Sequence, residues 1–176
     1  MGGSKAMVLL CGRPLLSYPL DALRVGLGEV VVLAKADTEL PGLPGVEVWI
    51  EPEREHHPLL GIASAVALAG DRPVLVCAAD LPFVTPALAR RLAGMEGVAV
   101  AAWDGEIQPL LGRYDASILE RLKRDGPVRE AVLELSPQLV EVDHPDTLFN
   151  VNGPSDLLQA AAILERERRE TPGERV

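Results

Sequence analysis

Two features of this sequence could do chemistry on a phosphorylated ligand. The first is Asp80, in Ala79-Asp80-Leu81-Pro82, directly after the apolar run Pro73-Val74-Leu75-Val76-Cys77-Ala78. A lone carboxylate in a core is expensive, so an aspartate here belongs at the tip of a buried strand. It then has two readings. One is a Mg²⁺ ligand, since that cation takes hard oxygens and fills its shell with water and substrate phosphates. The other is a turn or N-cap aspartate that fixes the Pro82 loop. The second feature is Met1-Gly2-Gly3-Ser4-Lys5. Glycines let a backbone approach a phosphate closely, and a lysine offsets its charge. The alternative is a solvated lysine at a chain end. The GxxxxGK[ST] spacing of a Walker A loop is absent.

Other polar residues follow apolar runs in the same way. Glu51 comes after the alternating run 46–50. It could accept hydrogen bonds from a purine edge, or simply open the polar loop 51–57. His56 and His57 in that loop are too few for a metal site and read as solvated. Gly61, in Pro58-Leu59-Leu60-Gly61-Ile62, could admit a ligand to the first turn of a helix or serve helix–sheet packing. Gln108-Pro109-Leu110 and Asn150-Val151-Asn152 set amides in apolar context. Such amides could hold a polar ligand or satisfy nearby backbone groups.

The elements that must position these residues alternate. Runs 30–33, 46–50, 73–78 and 98–102 read as strands, and 14–25, 59–69 and 86–93 as helices, with Pro14 and Pro86 in first turns. Further on, 107–114 and 139–142 suit strands, and 118–123, 128–135 and 154–168 suit helices. Strands alternating with helices imply an α/β fold, a doubly wound and mostly parallel sheet. Ligands in such folds bind at the carboxyl ends of the strands, where the candidates above fall.

At 176 residues and 48% hydrophobic, the chain suits one domain over 1–176, with a charged tail from 165 that frays. A net charge of −9 is a poor match for nucleic acid or an anionic membrane, though it leaves room for a local basic site. No apolar run approaches the roughly 18 residues of a membrane span, and no signal peptide is evident. Cys11 and Cys77, both in apolar context, read as buried free thiols in a reduced compartment. A cytoplasmic location is the expectation.

The order of the motifs is more specific than any one of them. Gly2-Gly3-x-Lys5, Gly12-x-Pro14-Leu15, Pro58-Leu59-x-Gly61-Ile62, Ala79-Asp80-x-Pro82, Gln108-Pro109 and Asn150-Val151-Asn152-x-Pro154-x-Asp156-Leu157 together resemble one family. That family is the molybdenum cofactor guanylyltransferases, the MobA-like proteins, and the likeness runs over 1–158. It implies a Rossmann-like, three-layer nucleotidyltransferase fold. It also implies a reaction of GTP with Mo-molybdopterin, with Mg²⁺, to give the guanine dinucleotide cofactor and pyrophosphate. By the resemblance, Gly2, Gly3 and Lys5 would meet the GTP phosphates and Asp80 would hold Mg²⁺. Glu51, Leu59 and Gly61 would lie by the base or ribose. Gln108, Asn150 and Asn152 would lie toward the metal or the molybdopterin. Lys5 and Asp80 would carry the chemistry. Transient contact with molybdopterin-supplying proteins and recipient molybdoenzymes would follow.

The family pattern differs in places. It opens with a strand and a Leu-Ala-Gly-Gly loop ahead of the Met-Gly at which this sequence starts. The expectation is a truncated or misassigned start, or else a 7–10 segment that takes part of the strand's role with weak nucleotide affinity. Glu51 replaces a usual aspartate and reaches one methylene further, while His57 replaces a usual glycine and Leu60 a small residue, and these two would narrow the base pocket. Two other readings stay open. One is a CTP-dependent cytidylyltransferase of the same fold. The other is a nucleotide- or pterin-binding module without turnover.

Overall fold

Apolar runs such as 74–77 and 99–102 form strands of the main sheet, and segments of helical periodicity cover them. The computed structural model describes residues 5–52 and 55–170, the side chains of Lys5 and Glu170 excepted. In chain order the elements are β1 (Leu9–Leu10), β2 (Arg13–Pro14), α1 (Ser17–Gly26), β3 (Val31–Ala34), β4 (Glu47–Ile50), α2 (Pro58–Ala69) and β5 (Val74–Cys77). Then come α3 (Pro86–Ala93), β6 (Ala99–Trp103), β7 (Glu106–Tyr114), α4 (Val128–Leu133), β8 (Gln138–Glu141) and α5 (Pro154–Glu170).

Four strands form one sheet in the order β5-β7-β6-β8. Strand β7 is antiparallel to both neighbours and β6 is parallel to β8, so three of the four strands share a direction. Strands β3 and β4 form a separate parallel pair. Side chains alternate across the sheet. Ala99, Ala101 and Leu111 pack on α3, while Val100, Ala102 and Ile107 pack on α2 and α4. Helix α1 lies against α3. The result is the expected α/β/α arrangement with a mostly parallel sheet.

Four local expectations change. Pro14 lies in β2, and α1 starts at Ser17. The reason is a tight hairpin: Cys11 and Gly12 both have positive φ, 49° and 80°, as a two-residue β-turn of this hand requires. Cys11 is therefore exposed at the turn tip rather than buried, although both cysteines are free. The 7–10 segment supplies only the two residues of β1, which pair with β2 and not with β3 or β5. Finally, 118–123 is not a helix. A single 3₁₀ turn, Ala116–Ile118, capped by Asp115, stands there, because Gly126-Pro127 follows too soon for a helix to propagate.

Candidate functional site

Asp80 sits in the turn that leaves β5, at the carboxyl end of the sheet. Its carbonyl accepts the Val151 N–H at 2.9 Å, which draws the 150–152 stretch against it. Strand β7 approaches from the other side through a bulge. Gly112 pairs with Val100, but Gln108 pairs with Ala101, so three residues of β7 are taken up in one step of β6. Pro109, which has no N–H for the ladder, sits in this bulge. The buried Tyr114 hydroxyl donates to the Pro109 carbonyl at 2.6 Å and holds the bulge. Burial raises the pKa of that hydroxyl and keeps it a donor.

The bulge sets Gln108. Its Nε2 donates to Asn150 Oδ1 at 3.1 Å, and its Oε1 accepts the Leu110 N–H at 3.3 Å. Asp80, Gln108 and Asn150 thus meet where β5 ends and β7 begins. Asn152 is exposed at the start of α5, where its N–H and that of Gly153 donate to Asp156 at 2.8 and 3.0 Å. That carboxylate satisfies the first donors of α5 and suits the positive end of its dipole.

Glu51 and Gly61 lie on the other side of β5. With Ala78 and Ala79 they line a cavity of about 530 Å³. Glu51 is not a surface acid. Its Oε1 is 3.0 Å from Lys35 Nζ, and the two side chains are 11% and 12% exposed. Lys35 Nζ also donates to the Glu55 carbonyl at 2.6 Å, pinning the loop after β4. Lys35 was not marked among the candidates. The register Ala34↔Ile50 of two parallel strands sets it beside Glu51, so a parallel pairing of 30–33 with 46–50 was the signal for it.

A Cβ built on Gly61 would meet nothing within 4 Å. The packing reading of Gly61 therefore falls, and open space lies over the first turn of α2. Leu59 is wholly buried in the core cluster on that face, so its side chain is turned away from any ligand. His57 is the N-cap of α2, its Nδ1 accepting the Leu59 N–H at 3.3 Å. It is thus an ordered cap rather than a solvated loop residue. Gly2, Gly3 and the Lys5 side chain lie outside the described residues. The neighbouring Ala6 packs with Ala34 and Ala79, at the same end of the strands as Asp80. Burial and then the charge of Asp80 push the Cys77 thiol up to about 12, so it is no nucleophile at neutral pH. Among the described residues no helix is long and apolar enough to cross a membrane.

A mostly parallel α/β sheet with polar groups gathered at its carboxyl end defines an α/β protein whose ligand site lies at those strand ends. Residues 1–140 match the model of the MobA-like NTP transferase domain. The chain belongs to that family and is an enzyme of the nucleotidyltransferase type. It is 30% identical to a molybdenum cofactor guanylyltransferase of Cereibacter sphaeroides, over 95% of this chain and 92% of that one. The fold superimposes with TM-score 0.67 on molybdopterin-guanine dinucleotide biosynthesis protein A of Archaeoglobus fulgidus, at 21% identity, covering 94% of this chain and 92% of that one. It superimposes with the same score, 0.67, on the 2-C-methyl-D-erythritol 4-phosphate cytidylyltransferase of Thermus thermophilus, at 22% identity, covering 93% and 95%.

Proposed function

We propose that this enzyme transfers GMP from GTP to Mo-molybdopterin in molybdenum cofactor biosynthesis, releasing pyrophosphate. The observation that carries the reading is the meeting of Asp80, Gln108 and Asn150 at the carboxyl end of β5, in a chain whose named relative is a guanylyltransferase. In the reaction a terminal phosphate oxygen of molybdopterin forms a bond to the α-phosphorus of GTP. The bond from that phosphorus to the β-phosphate bridge breaks, and pyrophosphate leaves with the electron pair. No protein nucleophile is required, in keeping with a Cys77 thiol that stays protonated.

The protein's part is to hold two anionic substrates in line. Gln108 and Asn150 fix one another and offer amide groups to the pterin side. Glu51, held by Lys35, sits by the cavity on the nucleotide side, and Gly61 leaves room there. Lys5 would supply positive charge to the phosphates. Among the described residues no three His, Cys, Asp or Glu side chains gather as a metal cage. A single carboxylate at the phosphate end fits a cation that takes most of its ligands from water and substrate. Mg²⁺ held by Asp80 would neutralise phosphate charge.

The testing experiment is turnover of GTP and, in parallel, CTP with Mo-molybdopterin and Mg²⁺, by the parent chain and by Asp80→Asn. Pyrophosphate release with GTP, lost at least a hundredfold in Asp80→Asn with folding intact, is the expected result. A preference for CTP would move the enzyme to the cytidylyltransferases, whose fold it shares equally well. Unchanged rates in Asp80→Asn would remove Asp80 from the reaction. Calorimetric titration with GTP in the absence of pterin separates weak nucleotide binding from failed transfer.

A further inference from the structure

Gln108 and Asn150, both half-exposed, end a chain of hydrogen bonds that starts deep in the core. Its first member is the wholly buried Tyr114, whose hydroxyl donates to the Pro109 carbonyl at 2.6 Å and so holds the β7 bulge. Within the bulge Leu110 is fixed twice. Its carbonyl accepts the Ala78 N–H at 2.8 Å, and its own N–H donates to Gln108 Oε1 at 3.3 Å.

A backbone N–H can only donate, so that last contact decides which way the Gln108 amide faces. Oε1 turns to Leu110, and Nε2 turns to Asn150, where it donates to Oδ1 at 3.1 Å. Asn150 then presents its Nδ2 outward. The polarity of both amides descends from one backbone donor.

Each amide oxygen already accepts one hydrogen bond. One Nε2 hydrogen and both Nδ2 hydrogens have no partner among the described residues, and neither nitrogen is buried. Three N–H donors are thus presented side by side, next to the loop where the Val151 N–H meets the Asp80 carbonyl. A donor-rich face complements an acceptor-rich group. The terminal oxygens of a phosphate monoester are all acceptors, and their charge strengthens each bond. The pyrimidine edge of a pterin instead carries N–H and NH₂ donors, which here would meet donors.

We infer that Gln108 and Asn150 form a subsite for the phosphate monoester of the acceptor substrate, and not for its ring. Tyr114 is the positioning residue that sets the polarity of this subsite through Pro109 and Leu110. In the transfer reaction proposed above, on which this rests, that phosphate is the nucleophile. Amide donors suit the place. They orient its outer oxygens and keep their own protons at neutral pH, so the attacking oxygen retains its electron pair.

The experiment follows the side-chain NH₂ signals of Gln108 and Asn150 by NMR in the full chain. The titrants are methyl phosphate, 6-hydroxymethylpterin and GTP, each alone. Methyl phosphate is expected to shift both NH₂ groups, and the other two to leave them in place. In Gln108→Glu the new carboxylate still accepts from the Leu110 N–H but turns its other oxygen to Asn150, which flips the second amide. Methyl phosphate binding should weaken about tenfold or more, as charge-assisted hydrogen bonds are lost. In turnover, Tyr114→Phe should raise KM for Mo-molybdopterin about fivefold, with KM for GTP unchanged. Gln108→Glu gives the same KM comparison without touching the core. Equal changes in both KM values, or none, would reduce Tyr114 to a packing residue. Shifts with 6-hydroxymethylpterin would put the ring here, and shifts with GTP the nucleotide phosphates. Either result, or no shift with methyl phosphate, overturns the subsite. The titrations need no turnover. Methyl phosphate shifts without any transfer would sink the reaction and keep the subsite, and transfer without those shifts would do the reverse.

Discussion

Strands β5 and β6 carry the same kind of sequence, Val-Leu-Val-Cys and Ala-Val-Ala-Ala-Trp, and meet different surroundings. Ala99 to Ala102 of β6 are wholly buried, with β7 and β8 on either edge and helices on both faces. All four residues of β5 are only half-buried, because one edge borders the cavity it shares with β3. The difference teaches that burial of a parallel strand has two parts. Its own side chains recruit the helices above and below. Its edges depend on neighbours from elsewhere in the chain. The dense side holds the bulge that sets Gln108, and the open side holds Glu51 and Gly61. The candidate site thus spans a densely packed half and a half that borders the cavity.

The comparison breaks most readily with core truncations. Leu111→Ala, wholly buried on the dense side, should cost about 3–4 kcal/mol in urea unfolding. Leu75→Ala on β5 should cost only about 1, because the cavity already deprives it of partners. Equal losses would mean that the two sides are equally packed.

Next in size is the buried ion pair. Glu51→Ala strands the Lys35 charge and should cost about 2–3 kcal/mol. Combining it with Lys35→Met should restore most of that loss. An additive double variant would show that the pair is not coupled.

Glycines give a two-signed test. A Cβ at Gly112 meets Val100 Cγ1 at 2.8 Å and the Ala99 carbonyl at 2.9 Å, so Gly112→Ala should lose about 2 kcal/mol. Gly61→Ala adds a methyl to open space within a helix and should gain about 0.5–1 kcal/mol. It should also weaken nucleotide binding if that space is the base pocket. A destabilised Gly61→Ala would close the space on this side.

The smallest effect is a pH dependence at the end of β7. The Ser117 hydroxyl, opposed by some burial and then joined by the Ser117 N–H and Arg113, holds the Asp115 carboxyl below its usual range. A carboxyl whose folded-state pKa is lowered stabilises fully above the unfolded value of about 3.9, and that contribution is lost as pH falls from there through the lower folded value. Asp115→Ala should therefore cost about 1 kcal/mol at pH 7, and the gap should shrink by pH 3. The same gap at both pH values would show that charge has no part in this cap.

Much of the architecture was legible. The runs at 74–77 and 99–103 were evident because continuous apolar stretches of four or five residues have few other solutions. Asp80 was legible because a carboxylate after such a run belongs at its exposed end. Gln108 and Asn150 were legible as amides in apolar context, but their mutual hydrogen bond was not, since 42 residues separate them. Lys35 went unmarked because an isolated lysine has no local signature. Its meaning comes from the β3–β4 register. Cys11 was misplaced because apolar neighbours suggest a core, whereas the Cys11-Gly12 turn throws the side chain outward.

The sequence by itself determined what local chemistry can determine: the alternation of strands and helices, the polar residues at strand ends, and a net negative charge. Only the tertiary structure decided which edges meet. It set Lys35 against Glu51, folded the Pro109 bulge beneath Tyr114, and left β3 and β5 bordering one cavity. The physical reason is that side-chain burial is written within each segment, as periodicity and polarity. Backbone pairing between strands is satisfied by partners far away in the chain, and no single segment records who those partners are.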